Sequence, residues 1–175
     1  MTDTIYVLNG PNLNLLGTRE PEIYGHDTLD DIAGQLEDRA RELDLEIDMR
    51  QSNHEGHLVD WLHEAQARGA ILVASAGNES QRSITYPAAY PGVISVAASG
   101  QLTAEGIDYR SLAAFTNFGG VDMMAPGVSV ISTVPESACG ARGWICFDGP
   151  YASASGSSFA TPIVAGAVAL LRSRY

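Results

Sequence analysis

Three sets of side chains in this sequence are of types that could carry chemistry. Ser155-Gly-Ser-Ser158 opens an apolar stretch that reads as a long helix over 156–174, with Pro162 in its first turn. A helix start offers free N–H groups and a partial positive charge, which suits both a nucleophile and the oxyanion it creates. His54 and His57 follow a short strand, in Ser52-Asn-His-Glu-Gly-His57. The loop over residues 12–27 gathers Asn12, Arg19 and Tyr24, where a cation beside a phenol favours the phenolate. Cys139 and Cys146 have six residues between them in a Gly-rich stretch, equally consistent with a small disulfide or two free thiols. Their spacing, with no further Cys or His nearby, speaks against zinc. Asn9-Gly-Pro lacks both the P-loop Lys and the dinucleotide glycine spacing, so no nucleotide cofactor and no metal is expected.

The elements that must position these groups follow from apolar spacing. Ile5–Leu8 is a buried strand running into a turn. Thr28 caps a helix carrying Leu29, Ile32, Leu36, Ala40 and Leu43 at helical spacing, with Asp31 as its capping partner. Leu45, Ile47 and Met49 alternate with acids as a strand with one covered face. Ser52–Glu55 is a capping box opening a helix with Leu58, Val59, Leu62 and Ala65, which Gly69 ends. Ile71–Ala74 and Val93–Ala97 read as buried strands, with shorter ones at Val121–Met124 and Val128–Ile131. Strands alternating with helices over short links predict an α/β fold, three layers α/β/α around a mainly parallel sheet. Ile5–Leu8 and Ile71–Ala74 are apolar on both faces, which predicts that they lie side by side in one sheet.

The chain has 175 residues, enough for one domain with its own core. Its net charge is −11, from 21 acids against ten Arg and no Lys. Such a surface repels phosphate backbones and anionic lipid, so neither nucleic acid nor membrane is expected as a partner. No apolar run reaches membrane-spanning length, and the N-terminus does not read as a signal peptide. Residues 1–70 hold 15 acids against five Arg, whereas 71–175 hold six against five. All four His lie before residue 64, and both Cys lie in the second part. The character of the chain changes near residue 70, between a helix and a strand.

Val7-Leu-Asn-Gly-Pro-Asn-Leu-Asn-Leu-Leu-Gly-Thr-Arg-Glu-Pro-Glu-Ile-Tyr-Gly25 and Arg50-Gln-Ser-Asn-His-Glu-Gly56 resemble type II 3-dehydroquinate dehydratases. The resemblance implies a flavodoxin-like fold and a cofactor-free dehydration through an enolate. It makes Tyr24 the base, supported by Arg19, with Asn12 helping to hold the water that stabilises the enolate. The family's catalytic acid is a His in a later His-Ile-Ser-Asn-type stretch, and no His follows residue 63. Its Asn after the third strand is also missing, since that strand reads Ile71-Leu-Val-Ala-Ser-Ala-Gly-Asn78.

From residue 69 onward the chain resembles the C-terminal part of subtilisin-like serine proteases. The carriers are Leu72-Val-Ala-Ser-Ala-Gly-Asn-Glu79, Tyr86-Pro-Ala-Ala-Tyr-Pro-Gly-Val-Ile-Ser-Val-Ala-Ala98, Phe115-Thr-Asn-Phe-Gly119, Ala125-Pro-Gly-Val128 and Ser155-Gly-Ser-Ser-Phe-Ala-Thr-Pro-Ile-Val-Ala-Gly166. By this resemblance Ser158 is a nucleophile and Asn78 the side-chain oxyanion donor. The family's catalytic Asp and His come from the part that would precede Leu72. Where its first strand would offer Asp stands Asn9, so His54 or His57 would have to serve as a borrowed base.

Together the two resemblances imply an engineered or recombined single domain. A flavodoxin-like piece over about 1–66 joins a subtilisin-like piece over about 67–175, as a monomer without an obligate partner. Neither active site is complete. The alternatives are a weak serine hydrolase built on Ser158 and Asn78, and a weak 3-dehydroquinate binder built on Asn12, Arg19 and Tyr24.

Overall fold

The computed structural model describes residues 4–134, 139, 146–147 and 149–174. They form two compact units, residues 1–70 with 133–150 and residues 71–132 with 151–175.

The first unit begins with β1 (Thr4–Asn9), a 3₁₀ turn at Leu13–Leu15, and one helical turn, α1 (Pro21–Tyr24). Then come α2 (Leu29–Glu42), β2 (Glu46–Gln51) and α3 (Glu55–Ala67). β1 and β2 pair in parallel, with Ile5 opposite Ile47, Val7 opposite Met49 and Asn9 opposite Gln51. Their carboxyl ends therefore lie together, at the loop 9–14 and the segment 51–54. The expected capping box at Thr28 is present: the Asp31 amide donates to the Thr28 hydroxyl at 3.2 Å, and the Thr28 amide to the Asp31 carboxylate at 2.9 Å. The Thr28 hydroxyl, which donates to the Asp31 carboxylate at 2.6 Å, and then the Thr28 amide hold the Asp31 carboxyl below its ordinary pKa. Thr28→Ala is expected to lower stability by about 1 kcal/mol, read as a lower denaturant midpoint. At α3 the capping residue is His54 instead, and no side chain caps it. The Ser52 hydroxyl accepts the His54 amide at 3.0 Å, one step before the helix.

The second unit contains β3 (Leu72–Ser75), β4 (Val93–Thr103), β5 (Gly106–Leu112), β6 (Met123–Pro126), β7 (Val130–Thr133), β8 (Tyr151–Ala154) and α4 (Ser157–Arg172). The long strand β4 is central. It pairs in parallel with β3 and β6, and antiparallel with β5. Helix α4 lays Ala160, Val164 and Val168 on Val96, Ala125, Val73 and Ile94. A second cluster, Ala98, Ala113 and Val128 with Ile107 and Phe115, fills in beneath β5. Gly127 marks where β6 meets the start of α4. A Cβ there would lie 2.6 Å from the Ala98 Cβ and 2.9 Å from the Gly156 carbonyl oxygen. The Gly156 amide donates to the Gly127 carbonyl at 2.8 Å, which ties the helix start to the strand end.

The α/β class with mainly parallel pairing is as expected. The arrangement of strands is not. β1 pairs with β2, and β3 with β4, in separate hydrogen-bonded sheets, so among the described residues residues 5–8 do not pair with 71–74. No residue of β1 or β3 is fully buried, and Ile5 and Ile71 are exposed. The demand for a neighbour on each side, inferred from their apolar faces, therefore does not arise. Pro162 is the sixth residue of α4 rather than part of its first turn. Having no N–H, it leaves the Ser158 carbonyl without its intrahelical partner. Cys139 and Cys146 form a disulfide, with Cα atoms 5.4 Å apart.

Candidate functional site

The carboxyl end of β1 feeds a tight polar loop. Leu13 and Leu15 donate backbone bonds to the Gly10 and Asn12 carbonyls, and Arg19 donates to Leu15 at 2.8 Å. Gly17 has φ +79°, and a Cβ on it would lie 2.7 Å from the His26 carbonyl oxygen, so this turn accepts no side chain. The result is a cavity of about 160 Å³ lined by Pro11, Asn12, Leu13, Leu16, Arg19 and Tyr24. The structure thus gathers all three loop residues singled out from sequence. Tyr24 ends α1 and is about half exposed, and Arg19 lies 3.9 Å from the Glu20 carboxylate. The cavity lining combines a cation, a phenol and an amide with leucine and proline. That lining suits a small, partly apolar molecule with an anionic group and a carbonyl.

His54 and His57 stand at the start of α3, with rings 5.2 Å apart. His57 Nδ1 shares a hydrogen bond with the Ser52 hydroxyl at 2.9 Å, and Ser52 is buried. Nearby, Arg50 is gripped by Asp48 at 2.6 Å and Glu64 at 2.5 Å. The Arg50 guanidinium holds both carboxyls below their ordinary values, and they raise its own, Glu64 the more. This cluster braces β2 against α3.

The second unit carries the serine site. Asn78 follows β3, and Ser157 and Ser158 open α4. The buried Ser157 donates both its amide, at 2.8 Å, and its hydroxyl, at 2.9 Å, to the Asn78 Oδ1. With its oxygen so engaged, the amide turns its nitrogen toward the helix start. The Asn78 Nδ2 and the Ser158 amide lie 3.7 and 3.8 Å from the point where a side chain on Gly156 would begin. The Asn78 Nδ2 thus lies at the helix start near the exposed Ser158, with the Phe159 ring 3.6 Å from the same point. Asn117 supports it from behind. Its Oδ1 accepts the Glu79 and Gln81 amides at 3.0 Å, and its Nδ2 donates to Ala76 and Glu79.

Asn78 is thus bonded to Ser157, the residue directly before Ser158. His54 and His57 belong to the other compact unit, and His57 already engages Ser52. Among the described residues no hydrogen bond joins the Ser158 hydroxyl to an imidazole or a carboxylate. Sequence reasoning missed Ser157 and Asn117, although both stand inside the quoted motifs. A buried serine directly before the reactive one, and an Asn between Phe and Gly, were the available signals. Among the described residues no group of three or more His, Cys, Asp or Glu side chains could hold a metal ion, and no helix is long and apolar enough to cross a membrane.

Residues 3–97 match the family described as Dehydroquinase class II, which runs past the expected joint at residue 66 and into β4. Over 84 residues the chain is 56% identical to the 3-dehydroquinate dehydratase of Phenylobacterium zucineum (strain HLK1), covering 48% of this chain and 58% of that protein. Over 85 residues it is 55% identical to the 3-dehydroquinate dehydratase of Rhodopseudomonas palustris (strain BisA53), covering 48% and 56%. The chain thus spans a little over half the length of these relatives. Among solved structures, the self-cleaved protease domain of PatA aligns over 97% of this chain and 79% of its own, with a TM-score of 0.55 and 21% identity. That likeness is one of fold.

Proposed function

Because the chain belongs to the class II dehydroquinase family, we propose that it is a recombined member which keeps the family's substrate loop while a subtilisin-like segment replaces the rest of the site. In this reading it binds 3-dehydroquinate, an anionic hydroxy-ketone, weakly, and turns over neither that compound nor peptides efficiently. The observation that supports it is the cavity lined by Asn12, Arg19 and Tyr24. Arg19 supplies charge for a carboxylate, Asn12 a polar contact, and the leucines an apolar floor for a ring. The test is a titration with 3-dehydroquinate followed by amide and aromatic resonances. Saturable shifts at Arg19 and Tyr24, with affinity on the order of 1 mM, are expected. Shifts confined to other residues, or none, would remove the reading.

The Asn78 Nδ2 at the start of α4, near the exposed Ser158, favours a second reading, a weak serine hydrolase. A serine hydroxyl needs an adjacent base to attack, and that base needs its own orienting group. With neither bonded to Ser158 among the described residues, ester hydrolysis by Ser158→Ala should fall by less than about tenfold. A hundredfold drop, repeated in His54→Ala or His57→Ala, would establish a rebuilt triad.

A further inference from the structure

Asn12 adopts a left-handed backbone, φ 68° and ψ −3°, in the loop that lines the cavity. Outside glycine that conformation is uncommon and must be held by its surroundings. The holding group comes from beyond the carboxyl end of β2. The Asn12 amide donates to the Asn53 Oδ1 at 2.8 Å, 41 residues away in sequence. The same oxygen accepts the Gln51 Nε2 at 3.0 Å. Gln51 in turn reaches the Gly10 carbonyl and the Asn14 Oδ1, each at 3.4 Å. The two side chains therefore fasten the loop on both sides of Asn12, and neither lines the cavity.

We propose that Asn53, anchored by Gln51, is a positioning residue of the cavity, fixing the Asn12 backbone so that Asn12 faces the same space as Arg19 and Tyr24. Its two accepted bonds need a carbonyl-type oxygen at that point and nothing of the amide nitrogen. Aspartate should serve, and alanine should not. This assignment rests on the binding reading above, but its first test requires no ligand.

In Asn53→Ala the Asn12 amide should exchange with solvent about five- to tenfold faster, the worth of one hydrogen bond. Resonances of Arg19 and Tyr24 should move while the thermal midpoint of the chain stays put. In Asn53→Asp the exchange should return to within about twofold of the parent, because a carboxylate accepts both donors. Gln51→Ala leaves the Asn12 bond in place but frees its acceptor, and should give a smaller rise; it serves in place of the alanine variant if that does not fold. Unchanged Asn12 exchange in both variants would overturn the proposal, as would faster exchange with Arg19 and Tyr24 unmoved. A separate 3-dehydroquinate titration of the parent and Asn53→Ala should show about tenfold weaker binding in the variant. If the parent binds nothing, the binding reading fails, while the positioning role stands or falls on the exchange data alone.

Discussion

The chain is expected to convert 3-dehydroquinate at least 10²- to 10⁴-fold more slowly than the 3-dehydroquinate dehydratases it matches, the worth of general acid help. The reaction removes a proton from the carbon beside the ketone and then expels hydroxide, which must be protonated to leave as water. Tyr24 is available for the first step, in a cavity that Arg19 and Asn12 share. For the second step the family resemblance calls for a histidine late in the chain, and this sequence has none after His63. The strand that would bring neighbouring contacts reads Leu72-Val-Ala-Ser75 and leads to Asn78, whose side-chain oxygen is committed to Ser157. Appearance of the conjugated enone in the ultraviolet, at saturating substrate, measures the rate. Turnover within tenfold of a dehydratase of this family would mean that another group supplies the proton. Tyr24→Phe should abolish whatever slow rate remains.

Gly127→Ala is expected to destabilise the second unit by about 1–3 kcal/mol, the usual cost of forcing an extra methyl into a packed site. The added carbon would meet the Ala98 Cβ at 2.6 Å, the Gly156 carbonyl at 2.9 Å and the Ala98 Cα at 3.0 Å. Two of these atoms are backbone, so no side chain can swing away. β4 would have to part from the start of α4, and with it the bond from the Gly156 amide to the Gly127 carbonyl. Denaturant unfolding followed at second-unit residues measures the loss. A change below about 0.5 kcal/mol would show that the strand and helix start are less tightly joined than their contacts imply. The same displacement should loosen the Asn78 pairing with Ser157, visible as faster exchange of the Ser157 amide.

The sequence made some of this architecture readable and hid the rest, for separable reasons. Local patterns transferred well. The Thr28 box, the α2 stripe and the two leading strands were all present in residue spacing, because each is decided within one or two turns of chain. The hairpin of β4 with β5 went unforeseen, although Thr103-Ala-Glu-Gly106 followed by Ile107, Tyr109 and Ser111 alternates as an edge strand does. The expected α4 started one residue early and ended two late, and β6 and β7 each lie two residues further on than expected, since cooperative packing rather than propensity sets these ends. Sequence motifs named Asn12, Arg19 and Tyr24, which line one cavity, and Asn78 and Ser158, which follow β3 and open α4. What was illegible is the support behind them. Asn53 for Asn12, and Ser157 and Asn117 for the Asn78 loop, act across 36 to 79 residues of chain. No periodicity reports a bond of that span.

The chain leaves the second unit after Ser132 and re-enters it at Tyr151. β7 and β8, at the two ends of that excursion, pair with each other, and the Val134 amide donates to the Pro150 carbonyl at 2.9 Å. The pairing of β7 with β8 therefore holds Val134 beside Pro150 by backbone bonds alone, and the Cys139–Cys146 disulfide closes a second, smaller ring within that span. The outer closure carries no sulfur, so β7 and β8 should stay paired in reducing as in oxidising media.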